Sequence, residues 1–330
     1  MTATPAKPAK LLPPNPTIGV FDSGFGGLTV LRDLLPLIPG ARYIYLGDTA
    51  RLPYGSKSRE TIARYAVSSA KFLEEQGADL LCIACNTASA LALEDIEQAL
   101  PIPVVGVIQP GAEAALAASN PASQLDAPQN RGPHLRDGLI VAKVGEAPRL
   151  SPESLSGAPR PAFEDMGGAP QNPPHTLVLA TTATTQSHAY AQSLNALGLA
   201  ATEKACPLLV PLVEEGWIDH HVTAEVLRIY LAEAFAEAPT AQTLLLGCTH
   251  YPLLQPLIER TLAEMNHPMT IIDSAAATAA SVAAYFPANP TGTPATSHFY
   301  ATDSIEKFQR LGSAFLNQPL SEVHLLDLGG

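Results

Sequence analysis

The sequence predicts an α/β protein of the doubly wound class, and three observations carry that prediction. From Thr17 onward, short apolar runs bounded by turn residues alternate with helical stretches. Strand and helix alternating in this way imply a parallel sheet covered by helices on both faces. A second series of the same kind begins near residue 175.

The strands of the first series are TIGVFDSG, RYIYLGD, DLLCIACN and PVVGVI, each short and apolar. Between them the spacing predicts a helix over 58–76, where Ile62, Tyr65, Ser69 and Phe72 share a face, Ser58 caps the start and Gly77 the end. The second series runs through HTLVLATT, a strand over 199–207, a helix over 223–237, TLLLGCTH and a helix over 253–266. TIIDS closes the second series; after it come a helix, HFYATD, a helix over 304–316 and EVHLLDL, and these closing elements are placed back against the first sheet.

At 330 residues the chain is long enough for two domains. The predicted division is a disordered tail at 1–16, a first domain at 17–110 plus 275–330, and a second at 111–274. Ten of the 31 prolines fall between Ser119 and His175, where only LIVAKV reads as an element. That stretch, 119–175, is expected to be a solvated, mobile surface insertion in the second domain. The net charge of -12 argues against a nucleic-acid partner, which needs a basic stripe. Prolines break the opening MTATPAKPAKLLPPNP too often for a signal peptide, and no apolar run approaches the roughly 20 residues of a membrane span. The expectation is a cytoplasmic protein without a membrane partner, in which the four cysteines stay reduced.

Two cysteines stand where open α/β sheets bind ligands, at the carboxyl end of a strand. Cys85 closes DLLCIAC and is followed by Asn86, Thr87 and Ser89; Cys248 closes TLLLGC and is followed by Thr249 and His250. A helix start there supplies free N–H groups and the positive end of a dipole, which lower a thiol pKa and bind carboxylates. Cys82 and Cys206 read as core residues. The C-x-x-C of Cys82 and Cys85 lies inside an apolar strand, so the two side chains point to opposite faces and do not form a redox or metal pair. FDSGFGG offers Asp22 and Ser23 but matches neither G-x-G-x-x-G nor a P-loop. GDTARLPYGS offers Asp48, Thr49, Tyr54, Gly55 and Ser56; LATTATTQS offers Thr181 and Thr184; Glu214 and Glu215 follow a proline-punctuated run and read equally well as surface acids or as a site carboxylate.

With FDSGFGGLTV, GDTARLPYGSKS, CNTASA, GVIQPG, CPLLVPLVEEG, LGCTHYPLL and YATDSIEKFQRLGSAFL in hand, the sequence resembles the glutamate racemases of the cofactor-independent aspartate/glutamate racemase family. The resemblance runs in order from Thr17 to about 326, apart from the insertion. It implies two similar α/β domains related by a pseudo-twofold axis, with the active site in the cleft between them. Inverting a stereocentre by proton transfer needs a base on one face and an acid on the other. By resemblance Cys85 takes the α-proton of D-glutamate and Cys248 that of L-glutamate, each serving as the other's acid. Asp22, His250 and Glu214 assist, while Asp22, Ser23, Tyr54, Gly55, Asn86, Thr87, Thr181, Thr249 and His250 bind substrate. No cofactor and no metal is implied, D-glutamate is made for peptidoglycan, and a homodimer is expected. One departure is Ala180-Thr181 where the family usually has Gly-Thr, which matters if the backbone there needs positive φ. The alternatives are an aspartate or hydantoin racemase, a decarboxylase, against which the second thiol counts, and a non-catalytic protein binder such as a gyrase inhibitor.

Overall fold

The computed structural model describes residues 12–13, 15–119, 173–286, 294–320 and 322–329. Most of the stretch expected to be an insertion and most of the expected N-terminal tail lie outside them; at its edges Ser119 ends a helix and His175 begins a strand. Every strand pairing among the described residues is parallel. The first sheet holds β1 (Thr17–Asp22), β2 (Arg42–Gly47), β3 (Leu80–Ile83), β4 (Val104–Gly106), β9 (Thr296–Ala301) and β10 (Val323–Leu325), in the order β10-β9-β2-β1-β3-β4. The second holds β5 (His175–Ala180), β6 (Ala200–Ala205), β7 (Thr243–Gly247) and β8 (Thr270–Asp273), in the order β6-β5-β7-β8. Four strands of each sheet therefore follow one winding: second, first, third, fourth. The doubly wound prediction holds twice over, and the closing strands do return to the first sheet.

The helices are α1 (Leu28–Leu37), α2 (Arg59–Glu75), α3 (Asn86–Ala99), α4 (Ile108–Ser119), α5 (Thr182–Ser187), α6 (Ala189–Ala196), α7 (Leu209–Glu214), α8 (His221–Glu237), α9 (Gln255–Glu264), α10 (Ser274–Ala283) and α11 (Ile305–Leu316). One apolar core fills a face of the first sheet and continues through Phe25, Leu28 and Leu31 to Leu244, Leu246 and Tyr251 of the second. A separate core packs α2 and α3 on the other face of the first sheet. A third joins α4 and α6 to the second sheet through Ala112, Tyr190, Val178 and Leu245. The helix α10, from the end of β8, packs against both α1 and α4, so the two halves are interleaved and not merely abutting.

Local chemistry explains the helix ends. Ser58 caps α2 by accepting from the Thr61 N–H, and Gly77 stands at φ +87°, the left-handed conformation that a helix C-terminus needs. The buried stripe of α2 is Ile62, Ala66, Ser69 and Leu73; Tyr65 and Phe72, expected on that face, lie at its half-buried margin. PVVGVI is a strand only over Val104–Gly106, because Ile108 already begins α4. Pro110 and Gly111 sit in that helix's first turn, where proline costs no intrahelical hydrogen bond. The same rule makes 209–214 a helix despite Pro211, an element the sequence reading did not predict.

Candidate active site

The carboxyl ends of β1, β3, β5 and β7 converge on a cavity of about 560 Å³ between the two sheets. Its wall contains Ser23, Tyr54, Gly55, Cys85, Asn86, Thr87, Thr181, Glu214, Cys248, Thr249 and His250, every residue the resemblance implies except Asp22; Asp48, Ser89 and Thr184 do not line it. Cys85 and Cys248 are each 5 % exposed and lie at matching places in the repeated winding, just beyond β3 and β7. Cys82 faces the large core and Cys85 the opposite one, so the C-x-x-C is split by the sheet. Cys206 packs in the core as predicted and also reaches the cavity wall.

The surroundings of the two thiols differ. Cys85 caps α3, its Sγ 3.5 Å from the Ala88 N–H, and its thiol lies 3.5 Å from the Ser23 hydroxyl. Cys248 does not begin an α-helix as expected; a turn follows it, then a single 3₁₀ stretch at Tyr251–Leu254. Its partner is a ring: Sγ is 3.9 Å from Nδ1 of His250, which also sits 3.4 Å from the Thr249 hydroxyl. On the far side of the imidazole, Nε2 is 3.5 Å from Oε1 of Glu214. That separation makes no formed hydrogen bond, and Nε2 is otherwise unpartnered, so the contact is electrostatic. Phe315 and Phe25 meet the ring edge-on.

Burial decides the thiol chemistry, against the expectation that helix starts would lower both pKa values. Burial pushes Cys85 up to about 11, with the Asp22 charge adding to it and the Ser23 and Ala88 contacts opposing. Cys248 is raised further, first by burial and then by the nearby charges of Cys85 and Asp22, against the His250 N–H. Asp22 lies behind the wall, 1 % exposed, with one oxygen accepting from Gly24 N–H and the other unpartnered. Burial raises its carboxyl in spite of the favourable charge of His250. Glu214 goes the other way: burial would raise it, but His250 and Lys307 outweigh that and hold it below the usual carboxylate range.

Contacts across the cleft fix the two halves together. Asn86 donates to the Tyr190 hydroxyl at 2.7 Å and lies 3.5 Å from the Ser274 hydroxyl, which in turn donates to the Leu246 carbonyl on the Cys248 strand. Thr87, Thr181 and Thr184 share a hydroxyl cluster at 3.0–3.2 Å. Gly26 leaves room for the Cys248 turn, since a Cβ there would lie 2.3 Å from Thr249 Oγ1 and 2.7 Å from His250 Nδ1. Tyr54 donates to Asp48 at 2.5 Å, so its hydroxyl is engaged away from a ligand while the residue itself lines the wall.

A family model described as Asp/Glu/Hydantoin racemase matches residues 27–139. A curated glutamate racemase of Koribacter versatilis is 42% identical over 342 residues, covering 96% of this chain and 98% of its own. One from Geobacter metallireducens is 38% identical over 94% of this chain and 96% of its own. The chain belongs to the glutamate racemase family. Solved glutamate racemases share the fold. One from Francisella tularensis in complex with D-glutamate superposes with a TM-score of 0.72 at 28% identity, covering 96% of this chain and 98% of that one. One from Thermus thermophilus in complex with β-chloro-D-alanine gives 0.69 at 32%, again with coverage of 96% and 98%.

For a glutamate racemase, Ala180-Thr181 is benign. Ala180 ends β5 in ordinary strand geometry, and the positive φ values among the described non-glycine residues fall at His188, Asn266, Ser304 and Asn317. Thr181 caps α5 through the Thr184 N–H. Among the described residues no group of His, Cys, Asp and Glu is placed to hold a metal, and no helix is long and apolar enough to cross a membrane. Sequence reasoning missed Tyr190, Ser274 and Lys307. The first two touch the site only through folding, and Lys307 reads in isolation as one charge on an amphipathic helix.

Proposed function

We propose that this chain interconverts L- and D-glutamate by two-base proton transfer, with Cys248 taking the α-proton of the L-enantiomer and Cys85 that of the D-enantiomer. The observation that carries the reading is the pair of buried thiols at equivalent strand ends on one cavity between two copies of the same winding. One thiolate removes the proton while the opposite thiol delivers another to the other face, and the two cysteines exchange protonation states. With Cys85 at about 11, forming its thiolate at neutral pH costs about 5 kcal/mol. The substrate ammonium, bonded to the reacting carbon, offsets part of that cost by placing a positive charge beside the thiolate. The hydroxyls of Ser23, Thr87, Thr181 and Thr249, together with Asn86, provide the polar wall suited to two carboxylates and an ammonium. The role in supplying D-glutamate for peptidoglycan, a cytoplasmic location and a homodimer belong to the same reading.

The test is racemisation of L- and then D-glutamate in deuterated water without added cofactor, with optical activity and α-deuterium followed together. Both enantiomers should convert to product carrying solvent deuterium. Mirror-image substrates have equal free energy, so kcat/KM must be the same in both directions, and loss of either cysteine must lower both alike. Conversion of aspartate alone would replace the substrate; conversion without α-deuterium would remove the two-base route. Sedimentation of the full chain across a concentration series checks the dimer.

A further inference from the structure

Lys307 lines the cavity from α11 and, among the described lining residues, is the sole lysine or arginine. Its Nζ lies 3.3 Å from Oε2 of Glu214 and 5.7 Å from the centre of the Phe25 ring. Glu214 presents its other oxygen to His250, whose second nitrogen faces Cys248. A continuous line of groups therefore runs Lys307, Glu214, His250, Cys248. It is built from a helix of the first sheet's half, a helix end of the second, and the turn after β7. Cys85 has no counterpart to it; its neighbours are Ser23, the start of α3 and Asp22.

An exposed ion pair alone would contribute little. This one differs in that its carboxylate is largely enclosed, at 17% side-chain exposure, while the lysine keeps 44%. The ammonium rests over an aromatic face that also edges His250, which restrains it. The carboxylate faces Lys307 and His250; on the same wall are Glu215 just past its helix, Asp303 ahead of α11, and the thiols of Cys206, Cys248 and Cys85, with Asp22 behind. Beside that acidic set Lys307 is the lysine that holds the Glu214 carboxylate in place against the ring.

We propose that Lys307 is a positioning residue for one half of the reaction: it anchors the Glu214 carboxylate against His250 and so tunes the Cys248 thiol while leaving Cys85 unaffected. The direction follows from charge. Without Lys307 the negative charge of Glu214 is uncompensated next to the Cys248 turn, and His250 loses its fixed partner; both effects disfavour a thiolate at Cys248.

The inference rests on the two-thiol reading above, and its test is independent of turnover. Full-length protein, Lys307→Met and Lys307→Arg are treated with iodoacetamide, without glutamate, across a pH series. Alkylation at Cys85 and Cys248 is then read separately by peptide mass spectrometry. Lys307→Met is expected to slow Cys248 roughly tenfold at a given pH, a shift of about one unit toward alkaline pH, with Cys85 unchanged and Lys307→Arg restoring most of the rate. Equal slowing at both thiols, or none at Cys248, would overturn the proposal. A changed melting temperature would not produce the one-sided pattern. If the parent protein shows the pattern but does not racemise glutamate, the functional reading fails and the positioning role stands.

Discussion

Cys82 and Cys85 stand three residues apart, yet the sheet sends one into the large core and the other to the cavity wall. Their substitutions should separate accordingly. Cys82→Ala should cost about 1–2 kcal/mol of stability by leaving a small void, with racemisation retained; denaturant unfolding and a rate assay check the two halves. Cys85→Ala and Cys248→Ala should each lower kcat by about three orders of magnitude or more while shifting stability little, because groups acting as one unit fail together. The pH dependence of the free thiol is also predictable. Cys85 is raised to about 11 by burial, so its alkylation should keep accelerating with pH well past the range of an exposed cysteine. A plateau near pH 8 would show that the buried environment does not control it.

The turns after β1 and β7 meet at atomic contact, and the glycine at 26 is what allows it. Gly26→Ala introduces a Cβ against Thr249 and His250, so it should destabilise the protein by about 1–3 kcal/mol and displace the ring that faces Cys248. Calorimetry together with kcat should report both losses; a fully active variant would mean that the Cys248 turn moves freely. The threonine cluster acts between α3 and α5. Thr87→Val leaves Thr181 and Thr184 paired with each other, so its cost should be near 1 kcal/mol, with a larger effect on KM than on stability. Helix starts showed the limit of pattern reading. The sequence pattern alone treats Cys85 and Cys248 as equivalent, but an α-helix follows the first and a turn with 3₁₀ geometry follows the second.

At the scale of the whole molecule, Glu214 connects both halves to the site through His250 and Lys307. Its carboxyl is lowered on folding, so its contribution to stability is present above the unfolded carboxylate pKa and is lost as pH falls through the folded one. The melting temperature of the parent protein should therefore fall more steeply as pH drops through the carboxylate range than that of Glu214→Gln. Parallel curves would mean that the carboxylate is no more favourable folded than unfolded.

The alternation of strand and helix, the caps at Ser58 and Gly77 and the placement of Cys85 and Cys248 at strand ends were legible in the residues, because each depends on neighbours within about one turn or one strand. The resemblance added the pairing of the two thiols. What stayed hidden depends on distant parts of the chain. Pro110 and Pro211 look like helix breakers until their places in a first turn are known. Tyr190 and Ser274 join the site across the interleaved helices, 104 and 188 residues from Asn86. The local sequence determines where a thiol and its N–H groups can stand. The tertiary structure determined that both thiols are buried, that burial outweighs the helix N-terminus at Cys85, and that Lys307 falls opposite Glu214, since desolvation and long-range charge exist only once the halves close on each other.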